Sequence, residues 1–423
     1  MTNSFSKEER VAFEEILEGF NDALVLSRNV ATYNTDSTMM ERTGNIIWRP
    51  QPYIAQSFTG TDMTSNFKDF TQLAVPSTLG FNKSVPFILT ATELRDALQE
   101  KRLGDAAKQK LASDINVAIM NVASLQGTLV VKRTAAASGF DDVAQCEAIM
   151  NEGGVPGYDR YLALSTRDYN GMASNLQVAT RSFGNPKSNA AYERAYVGPV
   201  ASFDTFKLDY ANRIGAAAGS AITIDTRDAA VNYYIPKATS TASTGEVANV
   251  DNRYQTVTVS STTGVVAGDC FTIATLNNVH AITKASTGQL KTFRVISVAT
   301  STTMVISPPM ITNQVASDAA AEYQNCTIGT KSATSAIVFL NTVAGYANPF
   351  WQKDSLEILP GRYAVPTDAG AAVMRASTDQ GIELVMQKQY DINTMKTKYR
   401  LDTLFGVVNK QPEMSGIILF SQT

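Results

Sequence analysis

The chain has 423 residues, enough for two or three domains with real cores, and its net charge of −3 at pH 7 argues against a protein whose main work is gripping phosphate backbones. Its three cysteines, Cys146, Cys270 and Cys326, form no close pair and leave an odd one, which excludes a disulfide framework and predicts buried reduced thiols. No signal-peptide pattern is present and no window approaches the ~18 consecutive apolar residues a membrane span needs, so secretion by that route and a membrane location are not expected.

The first predicted element is an amphipathic helical arm. Ser6 and Glu9 have the spacing of a capping box, and Phe13, Ile16, Leu17, Phe20 and Leu24 follow at helical spacing. The outer face carries Glu8, Glu9, Glu14, Glu15, Glu18 and Asp22 against only Lys7 and Arg10. Such a face is either simply solvated, with its acids complementing the helix dipole, or a dock for a basic partner.

Between about Asn45 and Phe87 the sequence turns to β-leaning residues and turn formers, with prolines at 50, 52, 76 and 86. Those prolines exclude a central-sheet role and predict an exposed two-stranded excursion, which must lie on something to be stable.

Thr92 to Gln126 reads as one long helix, opened by Thr90 and Glu93 at capping-box spacing. About 35 residues at 1.5 Å rise give a rod of roughly 50 Å. Its middle is polar around Gly104, which costs about 1 kcal/mol relative to alanine, so two helices meeting there is the alternative. Gly127 is a plausible C′ stop before the strand-like Leu129, Val130 and Val131.

A short helix from Asp142 (Val143, Cys146, Ile149, Met150) stops at Gly153-Gly154-Val155-Pro156, and a strand, Tyr161 to Leu164, follows. Residues 166–220 mix short helical and loop signals. From about Ile222 to Thr330 the chain becomes rich in Thr, Ser and Val and nearly free of helix signals, with turns at Thr244-Gly245, Thr263-Gly264, Gly268-Asp269 and Thr287-Gly288. Tyr254–Val259, Cys270–Ile273, Phe293–Val298 and Thr303–Ile306 read as strands of a compact barrel inserted into an α+β protein. Longer strands then return, among them Ile382–Met386 and Tyr399–Val408, before the apolar Ile417–Phe420.

Catalysis finds little support. His280 is the only histidine, which excludes a two-histidine metal site and forces any Ser-His-Asp or Cys-His arrangement through it. A lone histidine in a β-rich segment is ordinarily a packed or surface residue. No P-loop, GxGxxG or HExxH occurs. Asp141 with Asp142, or Asp225 with Asp228, has the residue types for glycoside hydrolysis, but 39 acidic residues produce such pairs by chance. Aromatic and basic residues do not interleave as a single-strand binding platform requires. No catalytic, cofactor or metal residue is assigned.

Several segments together resemble a known family. Val250-Asp251-Asn252-Arg253-Tyr254 leads into Thr256-Val257-Thr258-Val259; then come Gly264, Gly268-Asp269-Cys270-Phe271-Thr272-Ile273-Ala274 and Ile282 to Leu290. This run resembles the inserted barrel of major capsid (coat) proteins of short-tailed lambdoid-type phages, the P22-like group. The flanks agree in order: an acidic arm, Asn45-Ile46-Ile47-Trp48, Leu94-Arg95-Asp96, and Tyr399-Arg400-Leu401-Asp402 to Gly406 with Pro412-Glu413 before a last apolar strand.

The resemblance implies an α+β, HK97-like phage capsid fold with an inserted all-β barrel-like domain. It implies an N-terminal arm (1–39), an extended loop (40–87), a spine helix with the peripheral domain (88–130), an axial domain (131–221), the inserted I-domain (222–332) and a return to peripheral and axial domains (333–423). It also implies a homo-oligomeric icosahedral shell of triangulation number seven, built of hexamers and pentamers around a scaffolding protein, with a portal protein at one vertex. The shell expands as double-stranded DNA is packaged, the DNA being near without sequence-specific binding. Assembly would take place in the host cytoplasm.

Under that reading Glu8, Glu9, Glu14, Glu15 and Glu18 are the candidate contacts to scaffold or to a neighbouring subunit. In the family a hairpin of the inserted domain reaches across a twofold axis with charged residues. Here Thr239–Asn249 carries only Glu246, with Asp251 and Arg253 after it, so these three are the candidate contacts and a charge-based clasp is weakened. Two other classes compete: a β-rich tail-associated adhesin or carbohydrate binder, which would more often show repeats and aromatic platforms, and a glycosidase, which needs two carboxylates in a pocket.

Overall fold

A computed structural model describes residues 7–33, 46–64, 66–93, 97–179, 194–225, 233–312, 317–328, 334–364 and 371–423. The capping residue Ser6, residues 40–45 of the expected loop, and Leu94-Arg95-Asp96 lie outside the described residues.

Helix α1 (Lys7–Ala23) leads to β1 (Ala31–Thr32), β2 (Ile46–Pro50), β3 (Ala74–Thr78), β4 (Phe81–Thr90) and α2 (Ala97–Gln126). Then come β5 (Leu129–Lys132), α3 (Phe140–Glu152), β6 (Arg160–Ser165), α4 (Thr166–Ala179), β7 (Phe203–Leu208) and β8 (Arg213–Ile214). The Thr-rich stretch holds β9 (Thr223–Asp225), β10 (Thr239–Thr241), β11 (Val247–Asn249), β12 (Gln255–Thr258), β13 (Cys270–Val279), β14 (Ser286–Val298) and β15 (Thr303–Ser307). It continues through α5 (Asp318–Glu322), β16 (Cys326–Ile328) and β17 (Thr334–Phe339). The chain closes with β18 (Gly345–Tyr346), β19 (Asn348–Gln352), β20 (Leu356–Pro360), β21 (Ala372–Ser377), β22 (Glu383–Asp391), β23 (Lys396–Asn409) and β24 (Ser415–Leu419).

The chain forms two compact units, the first from residues 1–47, 77–119 and 356–408, the second from the rest. In the first, a six-stranded sheet runs β1-β20-β23-β22-β21, with β4 also on β23. The β4–β23 ladder is antiparallel from Lys396↔Thr90 to Phe405↔Phe81, and it brings Phe81 onto Phe405 and Phe87 onto Tyr399, each pair stacked at 5.2 Å. Residues 81–87 are therefore part of a sheet and not of a free excursion. Pro86 fits because, among the described residues, β4 has β23 as its one ladder partner and needs no amide on the other side.

Helix α2 runs unbroken through Gly104, so the alternative of two helices does not hold. The reason is packing: a Cβ at Gly104 would sit 2.5 Å from Ile16 Cδ1 of α1. Before the helix, the Thr90 amide donates to Glu93 Oε2 at 2.9 Å and the Glu93 amide to Thr90 Oγ1 at 3.4 Å, the reciprocal pair of a capping box. After it, Gly127 is not in the left-handed region; a Cβ there would come within 2.9 Å of the Gly416 amide nitrogen, so close approach of β24 selects the glycine.

The second unit holds a five-stranded sheet, β5-β24-β19-β6-β7, covered by α3 and α4. Its core includes Leu129, Val143, Cys146, Met150, Leu162, Tyr169, Met172, Phe203, Phe350 and Ile418. Helix α3 stops where Gly154 takes φ +80°, a conformation costly for any residue with a Cβ. A separate seven-stranded sheet runs β12-β15-β14-β13-β17-β9 with β16 on β13, and the bridge Ile224↔Val259 joins its two ends into a closed barrel. Phe271 and Phe293 stack at 5.6 Å in its core. The sheet reaches Phe339, past the boundary at 332 that the resemblance implies, and the short helix α5, which five residues could not announce by periodicity, lies between its strands β15 and β16.

Burial raises all three thiols above the usual range, Cys326 to about 12, so they stay protonated and unreactive. Among the described residues no helix is long and apolar enough to cross a membrane.

Candidate functional site

In the first unit, α1 buries Phe13, Ile16, Phe20 and Leu24, each contributing about 1.5–3 kcal/mol. Two glycines let α1 approach α2: Gly104 under Ile16, and Gly19, whose Cβ would meet Lys108 Nζ at 2.5 Å. Asn116 Nδ2 donates to the Ala23 carbonyl at 3.2 Å, capping the last turn of α1. The acidic face divides. Glu9 is engaged inside the chain, its Oε1 accepting from Lys388 Nζ and from Tyr399 Oη at 3.2 Å. Glu14, Glu15 and Glu18 are exposed, and the side chain of Glu8 lies outside the described residues. Glu9 is thus a structural residue here, held by partners inside the chain. Its partners sit 379 and 390 residues away, beyond the reach of any local pattern.

In the second unit the segment 51–73 carries exposed aromatics, Tyr53, Phe58, Phe67 and Phe70, with Phe67 86% accessible. Its two ends are fastened to its own chain. Gln51 Nε2 donates to the Lys410 carbonyl at 2.9 Å, Tyr323 Oη donates to the Thr71 carbonyl at 2.8 Å, and Lys68 pairs with Asp318 at 2.5 Å. The support that a marginal two-stranded piece requires is thus supplied by α5 and the closing turn.

The β10–β11 hairpin pairs Thr239 with Asn249, Ser240 with Ala248 and Thr241 with Val247, and all six residues are exposed. Glu246 is exposed beside its turn. Asp251 and Arg253 are not on this hairpin's surface. Arg253 is buried; its Nε and Nη2 donate to Asp251, its Nη1 to the Asn409 carbonyl, and its guanidinium stacks over Tyr254 at 5.0 Å. Arg253 is thus held inside the chain, Asp251 is partly exposed and paired with it, and Glu246 is the exposed charge of the hairpin.

The barrel is tied to the five-stranded sheet through polar side chains of β14. Thr292 Oγ1 donates to the Thr128 carbonyl at 2.7 Å, and Arg294 donates to the Gly268 and Gly127 carbonyls at 3.1 and 3.2 Å. His280 is a packing residue. Its Nδ1 accepts from the Ile282 and Thr283 amides at 3.2 Å, and its ring lies against Gly154, where a Cβ would come within 3.0 Å. Asp142 is fully buried; it pairs with Arg133 at 2.5 Å and accepts from the Ser138 amide at 2.8 Å, so it closes the start of α3 and lines no cleft with Asp141. Asp228 lies outside the described residues. Among the described residues no three His, Cys, Asp or Glu side chains gather as a metal site requires.

An all-β barrel inserted into the chain of an α+β protein is the architecture these residues build. The chain belongs to the P22 coat protein family, whose model, described as P22 coat protein, gene protein 5, matches residues 1–421. It is a major capsid protein with an HK97-like fold and an I-domain, a virion component of a kind that forms homo-oligomeric assemblies.

Among solved structures the chain is similar to one from Mycobacterium phage Che8, at 9% identity over 95% of this chain and 92% of that one, TM-score 0.45. It is similar to the capsid of Cyanophage P-SCSP1u, at 11% identity over 93% and 86%, TM-score 0.44. It is also similar to the CUS-3 coat protein I-domain, at 37% identity over 29% of this chain and 98% of that one, TM-score 0.22.

Proposed function

We propose that this coat protein assembles around a scaffolding protein into an icosahedral procapsid of hexamers and pentamers with triangulation number seven. In this reading a portal protein occupies one vertex, assembly takes place in the host cytoplasm, and the shell expands as double-stranded DNA enters without sequence-specific contact. The chain's role is structural, not enzymatic. The arm is 1–39, the extended loop 40–87 with its last residues, 81–87, paired in the β4–β23 ladder, the spine 88–130 and the axial domain 131–221 with part of 333–423. The insertion begins at 222 and is taken to 332 by the family resemblance, or to Phe339 by sheet membership.

The observation that carries the reading is the division of the arm: its apolar face is seated on α2 while Glu14, Glu15 and Glu18 stay exposed, which leaves an acidic stripe for a basic scaffold surface or a neighbouring subunit. Glu8 belongs to the same proposed stripe. Glu246 and the Ser and Thr groups of the β10–β11 hairpin supply a weaker, hydrogen-bonded contact between inserted domains. An exposed ion pair contributes only about 0–1 kcal/mol, so many equivalent copies must act together. Negative-stain imaging of the purified chain with and without scaffold tests this: closed shells that need scaffold for uniform size support it, and isolated trimers or monomers under every assembly condition contradict it.

A further inference from the structure

In the second unit a cavity of about 200 Å3 lies where the root of the 51–73 segment meets the barrel and the Gln411–Met414 turn. Its charged lining is Arg253, Lys284, Lys291 and Glu413. Two of the cations are already matched. Arg253 is paired with Asp251, and Lys291 with Glu413, whose Oε1 also accepts from Asn325 Nδ2 at 3.0 Å.

Lys284 differs. Its Nζ donates to the Gln324 carbonyl at 3.2 Å, an uncharged acceptor, and among the described residues it makes no ion pair. Its backbone is left-handed, φ +56°, and is pinned there by its own amide donating to the His280 carbonyl at 3.0 Å and by His280 Nδ1 gathering the two preceding amides. A lysine in that conformation is held by its surroundings, and such positions concentrate at functional sites.

An ammonium has three N–H donors. Lys284 spends one, on Gln324, and Lys291 spends two, on Asn278 Oδ1 at 3.1 Å and on Glu413. Unspent N–H donors are thus left on two neighbouring ammonium groups, with Glu413 and Glu322 as the carboxylates acting on Lys284. The space equals that of several waters at about 30 Å3 each, enough for a small polyatomic ion with part of its hydration.

We propose that this cavity is a binding site for a small inorganic oxyanion, represented by phosphate, held between the ammonium groups of Lys284 and Lys291. The bound anion ties the barrel to the Gln411–Met414 turn and to the root of the aromatic segment. Burial lowers Lys284 to about 8, with Glu413 and Glu322 acting against that fall and Lys291 adding to it, so the site is charged at neutral pH and loses that charge in mild base. Burial pushes the ionisation of Tyr323 up, with Glu322 and Tyr53 adding to the rise.

The test is calorimetric titration of the full-length chain with inorganic phosphate at pH 7 and constant ionic strength set by chloride. Saturable binding is expected, weakened at least about tenfold in Lys284→Met, the loss of one charge-assisted hydrogen bond, and kept within a few-fold in Lys284→Arg. Absence of saturable binding, or equal binding by the parent and Lys284→Met, overturns the site. Should Lys284→Met not fold, the parent alone decides with sulfate, whose charge is constant over the range: affinity about tenfold weaker at pH 10 than at pH 7 supports the site, and equal affinity at the two overturns it.

Discussion

Arg253 grips Asp251 with two prongs, Nε on Oδ1 at 2.9 Å and Nη2 on Oδ2 at 2.6 Å, and its remaining nitrogen reaches the Asn409 carbonyl at 2.7 Å. Two residues apart in sequence, the pair fixes the start of β12 against the end of β23. Breaking a buried pair from one side leaves the other charge stranded. Arg253→Met is expected to lower the stability of the isolated subunit by about 2–4 kcal/mol, read as a shifted urea midpoint with unchanged slope. Glu246→Gln, on the exposed hairpin, is expected to stay within about 0.5 kcal/mol of the parent. Equal effects of the two would mean that Arg253 is not a structural residue.

Gly104 joins local cost to tertiary need. Alanine there gains about 1 kcal/mol of helix propensity but places a methyl 2.5 Å from Ile16 Cδ1. The overpacking is expected to win, for a net loss of about 1–2 kcal/mol in chemical denaturation. Adding Ile16→Val, which removes that Cδ1, should recover most of it. Stabilisation by Gly104→Ala alone would show that α1 is not seated on α2 as described.

The pH dependence follows from Lys284. Its folded value, about 8, lies below the ordinary 10.5, so between those limits the unfolded chain binds more protons and stability rises with pH. Below pH 8 the penalty of holding the charge is fully present. The buried thiols and Tyr363, pushed up by burial to about 12, act in the opposite sense above about pH 9, so the useful quantity is the parent minus Lys284→Met. That difference should move in favour of the parent from pH 7 to pH 9 in chloride buffer. A flat difference would contradict the burial of this amine.

Phe67 is 86% accessible in the subunit. Phe67→Ser should leave the subunit's thermal midpoint unchanged and lower that of assembled shells, if the aromatic segment is covered on assembly. Unchanged shells would assign the exposed aromatics no part in subunit contacts.

Much of the architecture is legible in residue order. The rod ending at Gln126, the α3 helix stopping at Gly154, the barrel strands and the turns at Gly245, Gly264, Gly268 and Gly288 follow from periodicity and from glycine's access to positive φ. What fails to show is long-range. Gly104 leaves a two-helix alternative open because Ile16 is not visible from its neighbourhood, and Gly127 reads as a cap because β24 arrives from far along the chain. Pro86 marks an edge correctly but cannot say that β23 lies on its paired side. Charged residues are legible as types and not as roles: Glu9 and Glu14 look alike in the sequence, yet Lys388 and Tyr399 claim only the first.

Whether the exposed acids of the arm serve assembly while its apolar face serves folding is decided by Glu14→Lys, Glu15→Lys and Glu18→Lys combined. Shell yield with scaffold is measured by sedimentation and negative stain, beside the thermal midpoint of the subunit. The expected result is a midpoint close to the parent's and a severe loss of closed shells. Full shell yield from the reversed arm would contradict it.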